Sequence, residues 1–257
     1  MISTIYEPKG RAEEYSHLAL NLMTGCPFRC TYCYCPQALH IQREQFHSRV
    51  EFRPGVIGAL RQAAPKFAGT DKRVLLSFVG DVFCRQAIDS GVTEEALEIL
   101  REHDIPFQTL SKAGLAAEYY LSLYRPGVDL FAVTLTSKDS SRIEGKFEPS
   151  AAPWWARIAA LCRARQMGIG TWVSCEPILD PAATLTVIRQ AAPYTDLFKI
   201  GTLNHQKSDI NWREFGINAI RLCESLGVAY YLKRDLARHL DGVPFRNTDN
   251  RRVGKGE

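Results

Sequence analysis

Three cysteines lie close together in the run Gly25-Cys26-Pro27-Phe28-Arg29-Cys30-Thr31-Tyr32-Cys33-Tyr34-Cys35-Pro36, with the spacing C-x3-C-x2-C at Cys26, Cys30 and Cys33. Thiolates so placed on a short, turn-forming loop can each take one iron of a cubane [4Fe-4S] cluster. With no fourth cysteine at ferredoxin spacing, one iron stays open to a ligand. An open iron is a catalytic iron. The competing reading is a closed tetrahedral zinc site with Cys35 or His40 as fourth ligand, in a non-catalytic nucleic-acid module whose Arg29, Arg43, Arg49 and Arg53 bind phosphates. Zinc ligands usually come as two short halves with a long spacer between them. Here all three fall in one loop.

The spacing, with the aromatic Tyr32 directly before the last cysteine, resembles the signature of the radical S-adenosylmethionine (SAM) superfamily. That resemblance implies a cluster on Cys26, Cys30 and Cys33 whose open iron chelates the amino and carboxylate groups of SAM. It further implies reductive cleavage to methionine and a 5′-deoxyadenosyl radical, which abstracts hydrogen from a substrate, and an electron donor such as flavodoxin or ferredoxin.

Shorter pieces resemble the spore photoproduct lyase branch, the DNA repair photolyase-like proteins, and related phage-type members. They are Ser77 to Phe83, Thr109 to Lys112, Phe147-Glu148-Pro149, Ser174-Cys175-Glu176-Pro177 and Tyr230-Tyr231-Leu232-Lys233. They imply a substrate that is a nucleobase in DNA or a nucleotide, and a lyase or isomerase outcome. A radical SAM enzyme acting on a non-nucleotide small molecule is the alternative. The lyase carries a hydrogen-donating cysteine immediately before the turn that aligns with Gly80-Asp81. Here Ser77-Phe78 stand there, which leaves Cys84 and Cys175 as thiols that could return a hydrogen atom; a buried cysteine is otherwise a small hydrophobe.

By resemblance Tyr32 packs on adenine, and Tyr34 is a second aromatic beside it. The Gly80-Asp81 turn would bring its backbone to the methionine amino group, since glycine permits close approach. Ser111 and Lys112 follow a strand, where a lysine can meet the SAM carboxylate as a compact charge. Thr134 and Thr136 alternate toward the ribose. Ser174 and Glu176 end a strand at the barrel mouth, with ribose, substrate or proton-transfer roles open to the carboxylate. Thr202 closes the next strand, in the region that contacts adenine.

These residues need elements that bring them together. Apolar runs at 17–22, 73–79, 106–110, 129–136, 169–175, 196–201 and 228–232 read as strands. Helical patterns at 54–64, 93–103, 113–124, 153–167, after Asp180-Pro181, and at 211–226 separate them. That alternation means right-handed βαβ units and a parallel sheet, with sites at the carboxyl ends of its strands. The resemblance favours a partial (β/α)6 TIM-type barrel, laterally open, with 228–232 as an added strand. One domain over 1–240, with the cluster loop at 24–36, suits 257 residues that are 46% hydrophobic. The polar, basic segment 241–257 reads as a mobile tail. The sequence has no long apolar span and no cleavable leader pattern. Its eight cysteines include three in a ligand motif, so a reducing, cytoplasmic setting is expected. The formal net charge of +4 is compatible with a phosphate-bearing substrate and equally with a solvated surface.

Overall fold

The computed structural model describes residues 4–137, 145–203 and 208–248. Its strands are β1 (Ile5–Tyr6), β2 (Leu18–Leu20), β3 (Met23–Thr24), β4 (Glu51–Phe52), β5 (Val74–Leu76), β6 (Phe107–Ser111), β7 (Leu130–Thr134), β8 (Gly170–Cys175), β9 (Leu197–Ile200) and β10 (Ala229–Leu232). The helices run α1 (Cys35–Ala38), α2 (Arg43–Ser48), α3 (Val56–Ala63), α4 (Arg85–Ser90), α5 (Val92–Glu102), α6 (Gly145–Phe147), α7 (Trp154–Gln166), α8 (Pro181–Ala191), α9 (Trp212–Ser225) and α10 (Arg234–Ala237).

Among the described residues the main sheet has the order β1-β2-β5-β6-β7-β8-β9-β10. From β2 onward every pairing is parallel, and β1 lies antiparallel on β2. No ladder joins β1 to β10 among the described residues, so the barrel is partial and its sheet open, as expected. All seven expected parallel strands form, the last as the added strand at the far edge. The two-residue β1 is too short to show a periodicity.

Alternation along each strand divides the interior. Trp172 of β8 packs inside the curl with Leu75, Leu130, Ala132 and Leu197, while Val173 and Cys175 face the outer layer beneath the helices. Successive side chains of a strand point to opposite faces, so this division fixes which polar residues can reach a site. Asp180 caps α8 by accepting from the Ala183 amide, and Asn211 caps α9 through the Glu214 amide, both as their residue types favour.

One expectation changes. Segment 113–124 winds as a 3-10 helix over Gly114–Leu123, not an α-helix. Its buried residues Gly114, Ala117 and Tyr120 recur every third position, the period of that tighter helix. The chain after 241 is described to Thr248. The Asn247 side chain accepts from the Leu232 amide at 2.7 Å and donates to its carbonyl at 3.0 Å, and the Thr248 amide donates to the Tyr230 carbonyl. Positions 249–257 lie outside the described residues. No described helix is long and apolar enough to cross a membrane.

Candidate functional site

The cysteine loop leaves β2 through the small β3–β4 hairpin and is held by backbone on several sides. The Gly25 amide donates to the Val79 carbonyl, Cys26 to Phe46, and Thr31 to Phe147. Gly25 has φ +108°, and a Cβ there would collide with the Arg49 carbonyl oxygen. At Gly80 a Cβ would lie 2.9 Å from the Gly25 oxygen. The turn after β5 therefore packs on the loop because it carries no side chain at that point. Arg43 donates to the carbonyls of Cys30 and Cys33 at 3.1 and 2.9 Å, and His47 Nδ1 donates to that of Cys26 at 2.8 Å.

Cys26, Cys30 and Cys33 all line one cavity of about 480 Å³. Among the described residues no three His, Cys, Asp or Glu side chains converge as ligands of a single ion. A cubane instead offers a separate iron to each thiolate. Cys35 lines the cavity too, but its thiol donates to the Phe78 carbonyl at 3.2 Å, and the exposed His40 is not part of the lining. The donor set thus fits a three-cysteine cluster better than a four-ligand zinc site. Burial pushes the Cys26 thiol well up and that of Cys30 to about 11. The adjacent Cys35 lowers Cys33 to about 6. Metal binding must take protons off the first two, since the thiolate is the ligand.

Behind the loop lies a buried nest. Arg157 on α7 pairs with Glu148 at 2.6 Å, both side chains fully buried, and Tyr32 donates its hydroxyl to the same carboxylate. Arg157 also donates to the carbonyls of Ala152 and Thr134 at 2.7 and 3.0 Å. Burial works to raise the Glu148 carboxyl, but Arg157 and then Lys112 outweigh it and hold it low. The Lys112 ammonium sits 5.5 Å from the Tyr32 ring centre.

A second nest faces the cavity. Glu176 accepts from the Tyr15 hydroxyl at 2.5 Å and pairs with Lys233, whose ammonium lies 4.2 Å from the Tyr15 ring centre. Gly201 makes room, since a Cβ there would lie 2.7 Å from the Glu176 carboxyl carbon. Beneath it, Lys199 is 2% exposed, 4.1 Å from a Trp172 ring centre, and donates to the Tyr15 carbonyl at 3.0 Å. Burial first, then Lys233 and Arg73, lower this ammonium to about 7 against the pull of Glu14.

The cavity brings Tyr32, Tyr34, Gly80, Ser111 and Lys112 together with the three cysteines. Asp81, Thr134, Ser174 and Glu176 line it as well. Asp81 is spent on structure: it accepts from the Ser111 hydroxyl, the Lys112 amide and the Phe83 amide at 2.8 to 3.0 Å, tying the β5 turn to the β6 turn. Four candidates fall elsewhere. Cys175 points outward on β8, and Cys84 caps α4 inside the apolar layer, both nearly fully buried and outside the lining. The Thr136 hydroxyl is buried away from the cavity, without a hydrogen-bond partner among the described residues. Thr202 is buried and outside the lining. Of the arginines suggested for phosphates, Arg29 pairs with Glu44 and Arg49 with Glu51.

Sequence reading passes over Tyr15, His47 and Lys233, which line the cavity, and Arg157 behind it. Phe147-Glu148-Pro149 and Tyr230 to Lys233 stand out in the sequence only as pieces without roles. Tyr15 carries no local signal, because its partner Glu176 lies far away in the chain, and Arg157 reads as an ordinary arginine on a helix.

The sequence profile of the Radical SAM superfamily matches residues 20–179. No curated protein matches. Among solved structures, spore photoproduct lyase complexed with dinucleoside spore photoproduct overlays with TM-score 0.68 at 14% identity, over 90% of this chain and 79% of the other. SuiB from Streptococcus suis bound to S-adenosylmethionine overlays with TM-score 0.61 at 11% identity, over 89% of this chain and 53% of the other. At these identities the likeness is one of fold.

Proposed function

Because the chain belongs to the radical SAM superfamily, we propose that this enzyme, whose cofactors are a [4Fe-4S] cluster and SAM, takes a hydrogen atom from a nucleobase in DNA or in a nucleotide. When bound, the cluster supplies the electron that splits SAM into methionine and the 5′-deoxyadenosyl radical. Cys26, Cys30 and Cys33 are its ligands. Lys112, with Cys30 and Glu148 beside it, meets the SAM carboxylate. Gly80 lets the backbone of the β5 turn approach the methionine end, and Tyr32, fixed by Glu148, offers its ring to the adenine. The hydroxyls of Thr134 and Ser174 serve the ribose.

Glu176, Lys233 and Tyr15 then form the wall toward the substrate. Lys233 and Tyr15 hold Glu176 in place, so the carboxylate can accept a hydrogen bond from the bound base. Flavodoxin or ferredoxin delivers the electron, and the outcome is of lyase or isomerase type. The observation that carries the reading is the convergence of three non-disulfide cysteines, Lys112 and the nest of Glu176, Lys233 and Tyr15 on one cavity. The nucleobase part leans on the pieces shared with the lyase branch and on a neighbour of the same fold crystallised with a dinucleoside lesion.

The test is label transfer. Reconstituted enzyme, SAM and reductant are given deuterated DNA or deuterated nucleotides, and the deuterium is sought in 5′-deoxyadenosine. Transfer from either supports the reading. Transfer solely from a non-nucleotide small molecule would overturn it.

A further inference from the structure

The gap between the two sheet edges is crossed by the chain itself. Between β1 and β2, residues 9–15 reach from the β2 edge to β10 and α10. Arg11 Nε lies 2.8 Å from Asp235, and Glu13 lies 2.5 Å from the Arg234 guanidinium. Glu14, 4% exposed, accepts from the Arg234 amide at 2.7 Å and from the Tyr231 hydroxyl at 3.2 Å. The Tyr15 carbonyl accepts from Gln108 and Lys199, both at 3.0 Å, and its hydroxyl bonds Glu176. Lys9, Arg11, Ala12 and Tyr15 are thereby one wall of the cavity.

We infer that this strap sets substrate size: the site admits one nucleotide unit, free or at an unpaired strand end, and rejects a base held within a duplex. The inference rests on the nucleotide reading above and narrows it. A base flipped from a duplex arrives with its backbone and both flanking strands, which must lie along the protein beside the pocket. Tied to β10 and α10, the strap walls this side of the pocket, where those flanking strands would have to lie. The strap also supplies the rim charge. Lys9 is exposed beside the cavity, and Arg11 engages Asp235 through Nε, while a guanidinium carries five donors in all. Together they can receive the phosphate of a single nucleotide.

The experiment uses the full-length reconstituted enzyme with SAM and three deuterated substrates: deoxynucleoside 5′-monophosphates, a short single strand, and the same strand in a duplex. Label transfer from the duplex should be lower than from the monophosphates by about tenfold or more. Loosening the strap with Glu13→Gln and Asp235→Asn should narrow that ratio. Equal transfer from duplex and monophosphate in the intact enzyme would sink the strap while leaving the nucleobase reading intact. Transfer from no nucleotide of any length would sink both. Amide hydrogen exchange over residues 10–16 tests the closure apart from chemistry. Slowed exchange, lost in the double variant, supports it, and exchange at the rate of an open peptide overturns it.

Discussion

The molecule contains two nests of the same composition, a carboxylate holding a cation and a tyrosine hydroxyl, in two different settings. Glu148 with Arg157 and Tyr32 is sealed behind the cluster loop, its ion pair fully buried. Glu176 with Lys233 and Tyr15 lines the cavity, the side chains of its ion pair 11% and 4% exposed. A fully buried pair gains little net stability, yet losing one member strands a charge in low dielectric. Such a pair suits a part that must never rearrange. Its neighbours agree: Arg157 grips two backbone carbonyls, and the chain around Glu148 bonds the loop at Thr31 and Phe28. The cavity nest keeps a carboxylate and an ammonium where a ligand can meet them. One nest holds the cofactor loop, and the other is available for chemistry.

The largest expected effect concerns what the sealed nest supports. Cys26→Ala, Cys30→Ala or Cys33→Ala should abolish iron binding and SAM cleavage, whereas Cys35→Ala should keep the iron, because that thiol serves the Phe78 carbonyl. Iron and sulfide assays on the reconstituted proteins decide this, and equal loss from Cys35→Ala would make the site a closed one. Next comes the contrast itself. Arg157→Met takes the buried guanidinium from Glu148 and should cost about 3–5 kcal/mol of stability, with iron lost alongside. Lys233→Met should cost clearly less in unfolding experiments while removing label transfer. If both destabilise equally, the division of labour between the nests is wrong.

The same contrast explains what is readable in the chain. The seven parallel strands and the cysteine loop announce themselves locally, through apolar runs and spacing, and the structure has both where the sequence puts them. Lys112, Ser111 and Glu176 can be read because they follow a strand end, where parallel sheets put their sites. Cys84 and Cys175 cannot, for lack of a face. On β8 the inward residues are Trp172 and Ser174, which fixes Cys175 outward whatever its chemistry. The two nests are invisible because neither spacing nor composition couples Tyr15 to Glu176, or Tyr32 to a carboxylate after α6. Charged contacts between distant segments are written in the fold.

A smaller effect is expected where the two nests meet the cofactor. Lys112 lies between the loop and Glu148, and burial works against its charge while Cys30 and Glu148 favour it, leaving its affinity for the proton raised. Loss of a charge-assisted bond in Lys112→Ala should weaken SAM binding by roughly 1.5–3 kcal/mol, a ten- to hundredfold change. Calorimetry reads it directly, and unchanged affinity would move the SAM carboxylate elsewhere.

The smallest effect is a pH dependence seated beneath the cavity nest. Lys199 titrates near 7 in the fold, against about 10.4 for an unperturbed lysine. The folded protein therefore sheds this proton first, and the unfolded chain binds more protons between those two values, so stability rises with pH across that window. The penalty for a buried charge is fully present below about pH 7 and gone above about pH 10.4. From pH 7 to 8.5 the wild-type protein should gain about 1.5–2 kcal/mol relative to Lys199→Met, because each pH step of one contributes about 1.36 kcal/mol while the unfolded chain holds one more proton. The cysteines titrate in both proteins and cancel in the difference. Lys233 and Arg73 push the ammonium down and Glu14 opposes them, so Lys233→Met should also reduce the gain. Denaturant midpoints at the two pH values measure it. Parallel shifts in wild type and Lys199→Met would mean that Lys199 stays charged, held by the Tyr15 carbonyl and the Trp172 ring, and that the strap is anchored from below by an ammonium at every working pH.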